Sequence, residues 1–122
     1  MQALVIDDSR ATRRIVGQYL KDLSFEVLEA GDGQQALDTL VEHGLPDVVM
    51  VDWNMPVMNG LDFIKAVRAN KANRDLPIIM LTTETEMERM ALAFLAGVNE
   101  YIMKPFSRTM IEEKLSILGI GV

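Results

Sequence analysis

Four short apolar runs, each followed by a polar side chain, constrain the fold of this chain more than any other feature. The runs are 4–6, 48–51, 78–81 and 101–103, and the residues that follow them are Asp7 and Asp8, Asp52, Thr82, and Lys104. Short apolar runs that alternate with helical patterns indicate a parallel sheet, whose ligands bind outside the carboxyl ends of the strands. We therefore expect these polar groups to meet at one sheet edge. Carboxylates, a hydroxyl and an ammonium together suit a hard cation and a phosphoryl group.

The order of elements predicts an α/β fold of the doubly wound (βα)5 type, with helices on both faces of a five-stranded parallel sheet. Strands are expected near residues 2–6, 26–30, 47–52, 77–82 and 99–103, and a stretch with helical spacing follows each of them. The third strand is apolar on both faces, as expected of a central strand that helices cover on each side.

Apolar residues in the helical stretches recur at three- and four-residue spacing, which predicts the faces that are buried. The predicted faces are Ile15, Val16, Tyr19, Leu20 and Leu23 in the first helix; Ala36, Leu37, Leu40 and Val41 in the second; Met87, Met90, Ala91, Phe94 and Leu95 in the fourth; and Met110, Ile111, Leu115 and Leu118 in the last.

The composition indicates one domain over residues 1–122, with no linker, no repeat and no output domain. A formal net charge of -6 argues against binding to nucleic acid or to an anionic membrane, so a basic or protein partner is expected. The start of the chain lacks a basic signal-peptide region, and no apolar run is long enough to insert into a membrane, which predicts a cytoplasmic protein. The absence of cysteine excludes disulfides, thiolate catalysis and cysteine-based zinc sites.

Four motifs, taken together and in this order, resemble the receiver domain of two-component response regulators, above all the single-domain chemotaxis (CheY-like) type. The motifs are Asp7-Asp8-Ser9, Asp52-Trp53-Asn54-Met55-Pro56 with Asn59-Gly60, Leu81-Thr82, and Tyr101-Ile102-Met103-Lys104-Pro105-Phe106. The resemblance extends over the whole chain. It implies a flavodoxin-like fold with strand order 2-1-3-4-5, and a phosphorylation-dependent signalling switch that acts in chemotaxis or motility control.

The resemblance implies that Asp52 is the phosphoacceptor and that Mg²⁺ or Mn²⁺ is the cofactor. Asp8 and Asp52 would bind the metal directly, the backbone carbonyl of Asn54 would supply a third ligand, and Asp7 would act through a water molecule. The chemistry of the residues agrees, because a carboxylate that accepts a phosphoryl group must approach a dianion and needs cationic charge beside it.

Two further groups are expected to contact the phosphoryl group itself. By the same resemblance, Lys104 pairs with one phosphoryl oxygen, and the Thr82 hydroxyl donates to another. Backbone N–H groups around Trp53 and Thr83 complete the cradle. The peptide bond between Lys104 and Pro105 is expected to be cis, which aims the ammonium into the site.

Thr82 and Tyr101 are the expected switch residues. In the family, the hydroxyl at the first position moves toward the phosphoryl group, the aromatic ring at the second turns inward, and the surface of the fourth helix, fifth strand and fifth helix is remodelled. The resemblance implies a sensor histidine kinase as phosphodonor, a downstream protein target that docks on this surface, and a phosphatase as an additional partner. The protein is expected to be a monomer.

Three residues are expected to tune the lifetime of the phosphorylated state. Asn54 and Glu84 flank the line along which water attacks, and the chemotaxis members of the family carry this pair, which favours a short-lived signal. Thr83 stands where the family usually has Ala or Gly. Its bulk is expected to slow the access of phosphodonors and water.

Several alternatives remain open at the level of the sequence. Asp7, Asp8 and Ser9 also suit the start of a helix, although chance would have to place all four motifs at one sheet edge. A receiver can also serve as a phosphorelay intermediate or a phosphate sink. A phosphatase of the haloacid-dehalogenase type would need a second Asp where this chain has Asn54. The chain is not expected to be a stand-alone enzyme, although it would catalyse its own phosphorylation from a donor and its autodephosphorylation.

Overall fold

The computed structural model describes residues 1–121, and it contains five parallel strands and five α-helices in strict alternation. The strands are Gln2–Ile6 (β1), Glu26–Ala30 (β2), Val48–Val51 (β3), Ile78–Thr82 (β4) and Glu100–Met103 (β5). The helices are Arg10–Asp22 (α1), Gly33–His43 (α2), Gly60–Ala69 (α3), Met87–Ala96 (α4) and Arg108–Ile117 (α5), and a 3₁₀ turn, Lys71–Asn73, follows α3. The predicted strand limits are correct to within one residue. The predicted domain limit at Val122 lies outside the described residues.

The strand order is β2-β1-β3-β4-β5, and every neighbouring pair is parallel, which confirms the predicted doubly wound fold. Side chains alternate across each strand, so each face of the sheet receives its own apolar core. Leu4 and Ile6 of β1 belong to the core beneath α2, α3 and α4, whereas Ala3 and Val5 belong to the core beneath α1 and α5. No helix within residues 1–121 is long and apolar enough to span a bilayer.

The predicted buried faces are correct at the centres of α1, α2 and α5 and wrong at some flanking positions. Val16 and Leu20 of α1 are fully buried, but Ile15 beside them is exposed. In α2, Val41 is 88% exposed. A stripe of apolar residues spaced every three or four positions is wider than the surface that a two-layer contact covers, so residues at its margin are left in solvent.

The predicted buried face of α4 is wrong in most of its members. Met87 and Leu95 are both 84% exposed and Phe94 is also exposed, whereas the fully buried residue is Ala93. Apolar side chains surround most of this helix, so periodicity alone does not single out one face. The helix instead buries Ala93 fully and Met90 partly, and Met87, Leu92, Phe94 and Leu95 face outward.

Polar caps begin the helices at the same edge of the sheet as the predicted site. The side chains of Ser9, Asp32, Asn59 and Ser107 accept hydrogen bonds from backbone N–H groups in the first turns of α1, α2, α3 and α5. At α4, by contrast, Glu86 holds the cap position without a side-chain hydrogen bond to the described backbone. The start of α4 instead has side-chain contacts of Glu84, Glu86 and Arg89, which are described with the site below.

Candidate functional site

Three carboxylates meet at the carboxyl edge of the sheet, as the sequence predicted. Asp7, Asp8 and Asp52 each offer an oxygen within 4.8 Å of the others. Asp7 and Asp52 are buried, whereas Asp8 is exposed. Oxygen ligands of this number and charge suit a hard divalent cation, with positions left over for water or for an incoming anion.

The sheet itself brings Asp7 and Asp52 together. Ile6 and Val51 are register partners in the β1–β3 ladder, so the next residue of each strand emerges at the same level. The hydrogen bonds of the sheet continue past both strand ends, because Asp7 donates its backbone N–H to the carbonyl of Ala30 in β2 at 3.1 Å and Asp52 donates to that of Ile6 in β1 at 2.9 Å. Two carboxylates forty-five positions apart in sequence are thereby fixed side by side.

Backbone N–H groups orient the two buried carboxylates. Ser9 donates to Asp7 Oδ1 at 2.9 Å, and Trp53 donates to Asp52 Oδ1 at 2.7 Å. Ser9 also caps α1 through its side chain, whereas Asp7 and Asp8 belong to the carboxylate cluster. The motif therefore serves both as a helix start and as part of the site. Each carboxylate keeps its Oδ2 atom for the interior of the site.

Lys104 supplies the cation of the cluster. Its Nζ atom lies 2.8 Å from Asp7 Oδ2 and 3.5 Å from Asp52 Oδ2. The Lys104-Pro105 peptide bond is cis, as predicted, and Lys104 continues the sheet by donating its backbone N–H to the carbonyl of Thr82. One ammonium thus contacts two of the three carboxylates of the cluster.

The surroundings of Asp52 raise its pKa above the ordinary value of an aspartate. Burial is the largest cause, and the carboxylate of Asp7 raises the pKa further. Hydrogen bonding from Thr82, the charge of Lys104 and the N–H of Trp53 act in the opposite direction without cancelling the effect of burial. A bound cation or a neutralising group would therefore relieve an unfavourable charge at this residue.

Thr82, Glu84 and Tyr101 form a second layer beside the carboxylates. Thr82 is fully buried, and its hydroxyl oxygen accepts the backbone N–H of Glu84 at 3.3 Å. Tyr101 is also buried and donates its hydroxyl to the carbonyl of Glu84 at 2.7 Å. Burial, together with the charges of Glu84 and Asp52, raises the pKa of Tyr101 to about 12, so this hydroxyl remains a donor at neutral pH.

The remaining predicted residues line the mouth of the site. Asn54 and Thr83 are exposed, and Glu84 is partly buried. The structure thus brings Asp7, Asp8, Asp52 and Lys104 into one cluster, with the predicted switch residues next to it and the predicted tuning residues at its rim.

Sequence reasoning missed two arginines that shape the site, and it named Gly60 without its contact with Asp52. Arg89 of α4 places its guanidinium carbon 5.6 Å from the centre of the Trp53 ring. Arg13 of α1 donates to the backbone carbonyl of Asp7 and pairs with Glu29 at 3.2 Å. Gly60 lies so close to Asp52 that an added Cβ would stand 2.1 Å from the Asp52 carbonyl oxygen. The Asn59-Gly60 pair was visible in the sequence, but the contacts of the two arginines depend on tertiary packing.

Comparison with known proteins agrees with this geometry. The family model described as the response regulator receiver domain matches residues 3–116. The chain belongs to the response regulator receiver domain family. A Campylobacter jejuni protein named chemotaxis protein CheY homolog is 47% identical over 99% of this chain and 95% of that protein. Chemotaxis protein CheY1 of Helicobacter pylori is 45% identical over 97% and 96%.

Solved structures of receiver domains share the fold. The chemotaxis protein CheY4 of Vibrio cholerae superposes with a TM-score of 0.89 at 37% identity, and the match covers 96% of this chain and 97% of that one. This receiver domain is therefore a phosphorylation-dependent signalling module of the chemotaxis response regulator type and not a conventional enzyme. Family membership sets aside the haloacid-dehalogenase alternative.

Proposed function

We propose that Asp52 accepts a phosphoryl group from a sensor histidine kinase and that the modified domain docks on a protein target in chemotaxis. The observation that carries this proposal is the contact of Lys104 with both Asp7 and Asp52, at the carboxyl ends of β1 and β3. A buried carboxylate with an ammonium beside it can meet a dianionic phosphoryl group without the full repulsion between like charges. The chemotaxis relatives support the assignment of the pathway.

The carboxylate cluster fits Mg²⁺ or Mn²⁺, since both cations prefer oxygen ligands and keep several waters. We propose Asp8, Asp52 and the backbone carbonyl of Asn54 as direct ligands, with Asp7 acting through a water molecule. When bound, the cation supplies positive charge that orients the phosphoryl oxygens and screens them from the carboxylates.

The chain's own groups then divide the work of transfer. A carboxylate oxygen of Asp52 forms a bond to phosphorus while the bond from phosphorus to the donor breaks, and the leaving group takes the electron pair. The N–H of Trp53 holds the carboxylate plane during this step. Lys104 exchanges its contact with Asp7 for one with a phosphoryl oxygen, and the Thr82 hydroxyl donates to another.

The switch follows from the hydrogen bonds around Glu84. The backbone N–H of this residue contacts Thr82 and its carbonyl accepts from Tyr101, so a shift of Thr82 toward the phosphoryl group is transmitted to the Tyr101 ring. Tyr101 packs 6.3 Å from Phe94 of α4, measured between ring centres. We propose that the target docks on α4, β5 and α5, where Met87, Phe94 and Met103 are exposed.

Labelling with acetyl phosphate tests the acceptor directly. The wild type should be phosphorylated only when Mg²⁺ or Mn²⁺ is present, and Asp52→Asn should carry no label. Asp38→Asn, which changes an exposed carboxylate on α2, should label like the wild type and serves as the matched control. Label retained in Asp52→Asn, or label insensitive to a chelator, would remove the central claim.

A further inference from the structure

Arg89 connects the start of α4 to the neighbour of the acceptor. Its guanidinium carbon lies 5.6 Å from the centre of the Trp53 ring, within the range of a cation–π contact. Trp53 is buried, and its backbone N–H holds Asp52 Oδ1. A half-exposed arginine therefore covers the residue that orients the acceptor carboxylate.

The same arginine faces two glutamates of the β4–α4 loop. Its Nε atom lies 3.7 Å from Glu84 Oε2 and 3.9 Å from Glu86 Oε2. The Glu84 side chain is largely buried, and its Oε1 atom also accepts the backbone N–H of Glu86 at 3.2 Å. Arg89 thus neutralises and fixes a carboxylate at the mouth of a site that already contains three others.

Helix physics alone does not favour an arginine at this position. The positive end of a helix dipole disfavours cations in the first turn, and Arg89 is the third residue of α4. Only Glu88 accompanies it as a charged residue in this helix. The i,i+3 pair with Glu86 offsets part of this cost, and the contacts with Trp53 and Glu84 give Arg89 a role beyond the helix itself.

We propose that Arg89 is a positioning residue for phosphorylation: it holds and neutralises the Glu84 carboxylate so that an anionic phosphodonor can approach Asp52. This inference rests on the proposed function. Without the guanidinium, the Glu84 carboxylate is free to turn into the mouth and repel the donor. Partly exposed ion pairs of this kind are weak, so the expected effect on the labelling rate is about threefold to fivefold.

The test measures acetyl phosphate labelling of Asp52 in four variants at low salt. Arg89→Gln should label about threefold to fivefold more slowly than the wild type, whereas Arg89→Gln combined with Glu84→Gln should label no more slowly than Glu84→Gln alone. Salt at about 0.5 M should shrink the Arg89→Gln effect because it screens the exposed charges. Arg74→Gln, which breaks an exposed ion pair with Asp75 far from these contacts, is the matched control and should label normally.

A second readout does not depend on phosphorylation. In the metal-free protein, Arg89→Gln should change the fluorescence of Trp53, and Arg74→Gln should leave it unchanged. The inference would be overturned if Arg89→Gln labelled as fast as the wild type. It would also be overturned if Arg89→Gln slowed labelling equally in the wild-type and Glu84→Gln backgrounds. Either result would leave Asp52 as the proposed acceptor. Failure of the wild type to label would overturn the proposed function and this inference together, while the fluorescence would still report the contact between Arg89 and Trp53.

Discussion

The Nζ atom of Lys104 lies 2.8 Å from Asp7 Oδ2, and this ion pair is shorter than the 3.5 Å contact of Lys104 with Asp52, the proposed acceptor. In this arrangement the ammonium offsets the charge of Asp7, which is not the proposed acceptor. It is thus available to a phosphoryl oxygen without leaving the site. We therefore expect Lys104 to contact the phosphoryl group, whereas the aspartates bind the metal.

Replacing Lys104 with Ala should leave metal binding intact and weaken phosphorylation. The remaining carboxylates would be more negative, so Mg²⁺ affinity should rise severalfold, whereas labelling should fall about tenfold or more because a charge-assisted contact with the phosphoryl group is lost. Asp8→Ala should lose metal affinity and labelling together. Calorimetric titration with Mg²⁺ and labelling with acetyl phosphate check both variants. Identical behaviour of the two would show that the roles are not separate.

Removing the charge of Asp52 should stabilise the metal-free protein. The pKa of Asp52 is raised in the folded state, so folding favours the protonated form, and the free energy of unfolding should fall as pH rises through this folded pKa. At neutral pH, Asp52→Asn should therefore be more stable than the wild type, and its free energy of unfolding in urea should be higher by on the order of 1 kcal/mol. In the presence of a chelator, this gain in stability should disappear at a pH below 3.8, the ordinary pKa of an aspartate, because the wild-type carboxyl is then protonated as well. A less stable Asp52→Asn at neutral pH would contradict this account.

Trp53 should report ligand binding without a label. It is the one tryptophan of the chain and its backbone contacts Asp52. Mg²⁺ and the phosphoryl mimic beryllofluoride each change the charge beside the indole, so each should change its fluorescence in a saturable way. Titration in the wild type and in Asp8→Ala checks this. Unchanged emission at saturating Mg²⁺ would place the metal elsewhere.

The lifetime of the phosphorylated state distinguishes a fast switch from a relay intermediate. If Asn54 and Glu84 set the path of water, the label should decay within about seconds to a few minutes, and Thr83→Ala should accelerate both labelling and loss. A tenfold change corresponds to about 1.4 kcal/mol in barrier height, which is a reasonable upper limit for one exposed methyl and hydroxyl. Decay over hours with no response to Thr83→Ala would favour the relay.

Gly60 should be far less tolerant of a side chain than Gly17. An added Cβ at position 60 would lie 2.1 Å from the backbone oxygen of Asp52, so Gly60→Ala should destabilise the fold by about 3 kcal/mol and displace the acceptor. Gly17 lies inside α1, where a Cβ would meet Val27 at an ordinary 3.6 Å. Gly17→Ala should therefore gain up to about 1 kcal/mol from helix propensity. Urea unfolding of the pair checks this, and equal losses would refute it.

In helix α4 the spacing of apolar residues did not predict the buried face. The pattern of Met87, Met90, Ala91, Phe94 and Leu95 predicts a buried face, yet Ala93 is the fully buried residue. In α1 and α5, polar residues mark the outer side of the helix, so Leu20 and Leu115 were assigned correctly. Where apolar residues surround most of a helix, the distance between the helix and the sheet decides which side chains can be buried between them.

The sequence by itself determined the strand ends, the doubly wound fold and the gathering of Asp7, Asp8, Asp52 and Lys104 at one edge. It could do so because the geometry of a parallel sheet places the carboxyl ends of all strands together, whatever the details of packing. The tertiary structure alone decided that Lys104 pairs first with Asp7, that Arg89 covers Trp53, and that Tyr101 bonds to the carbonyl of Glu84. These contacts depend on side-chain directions across separate elements, which residue spacing along one element does not encode.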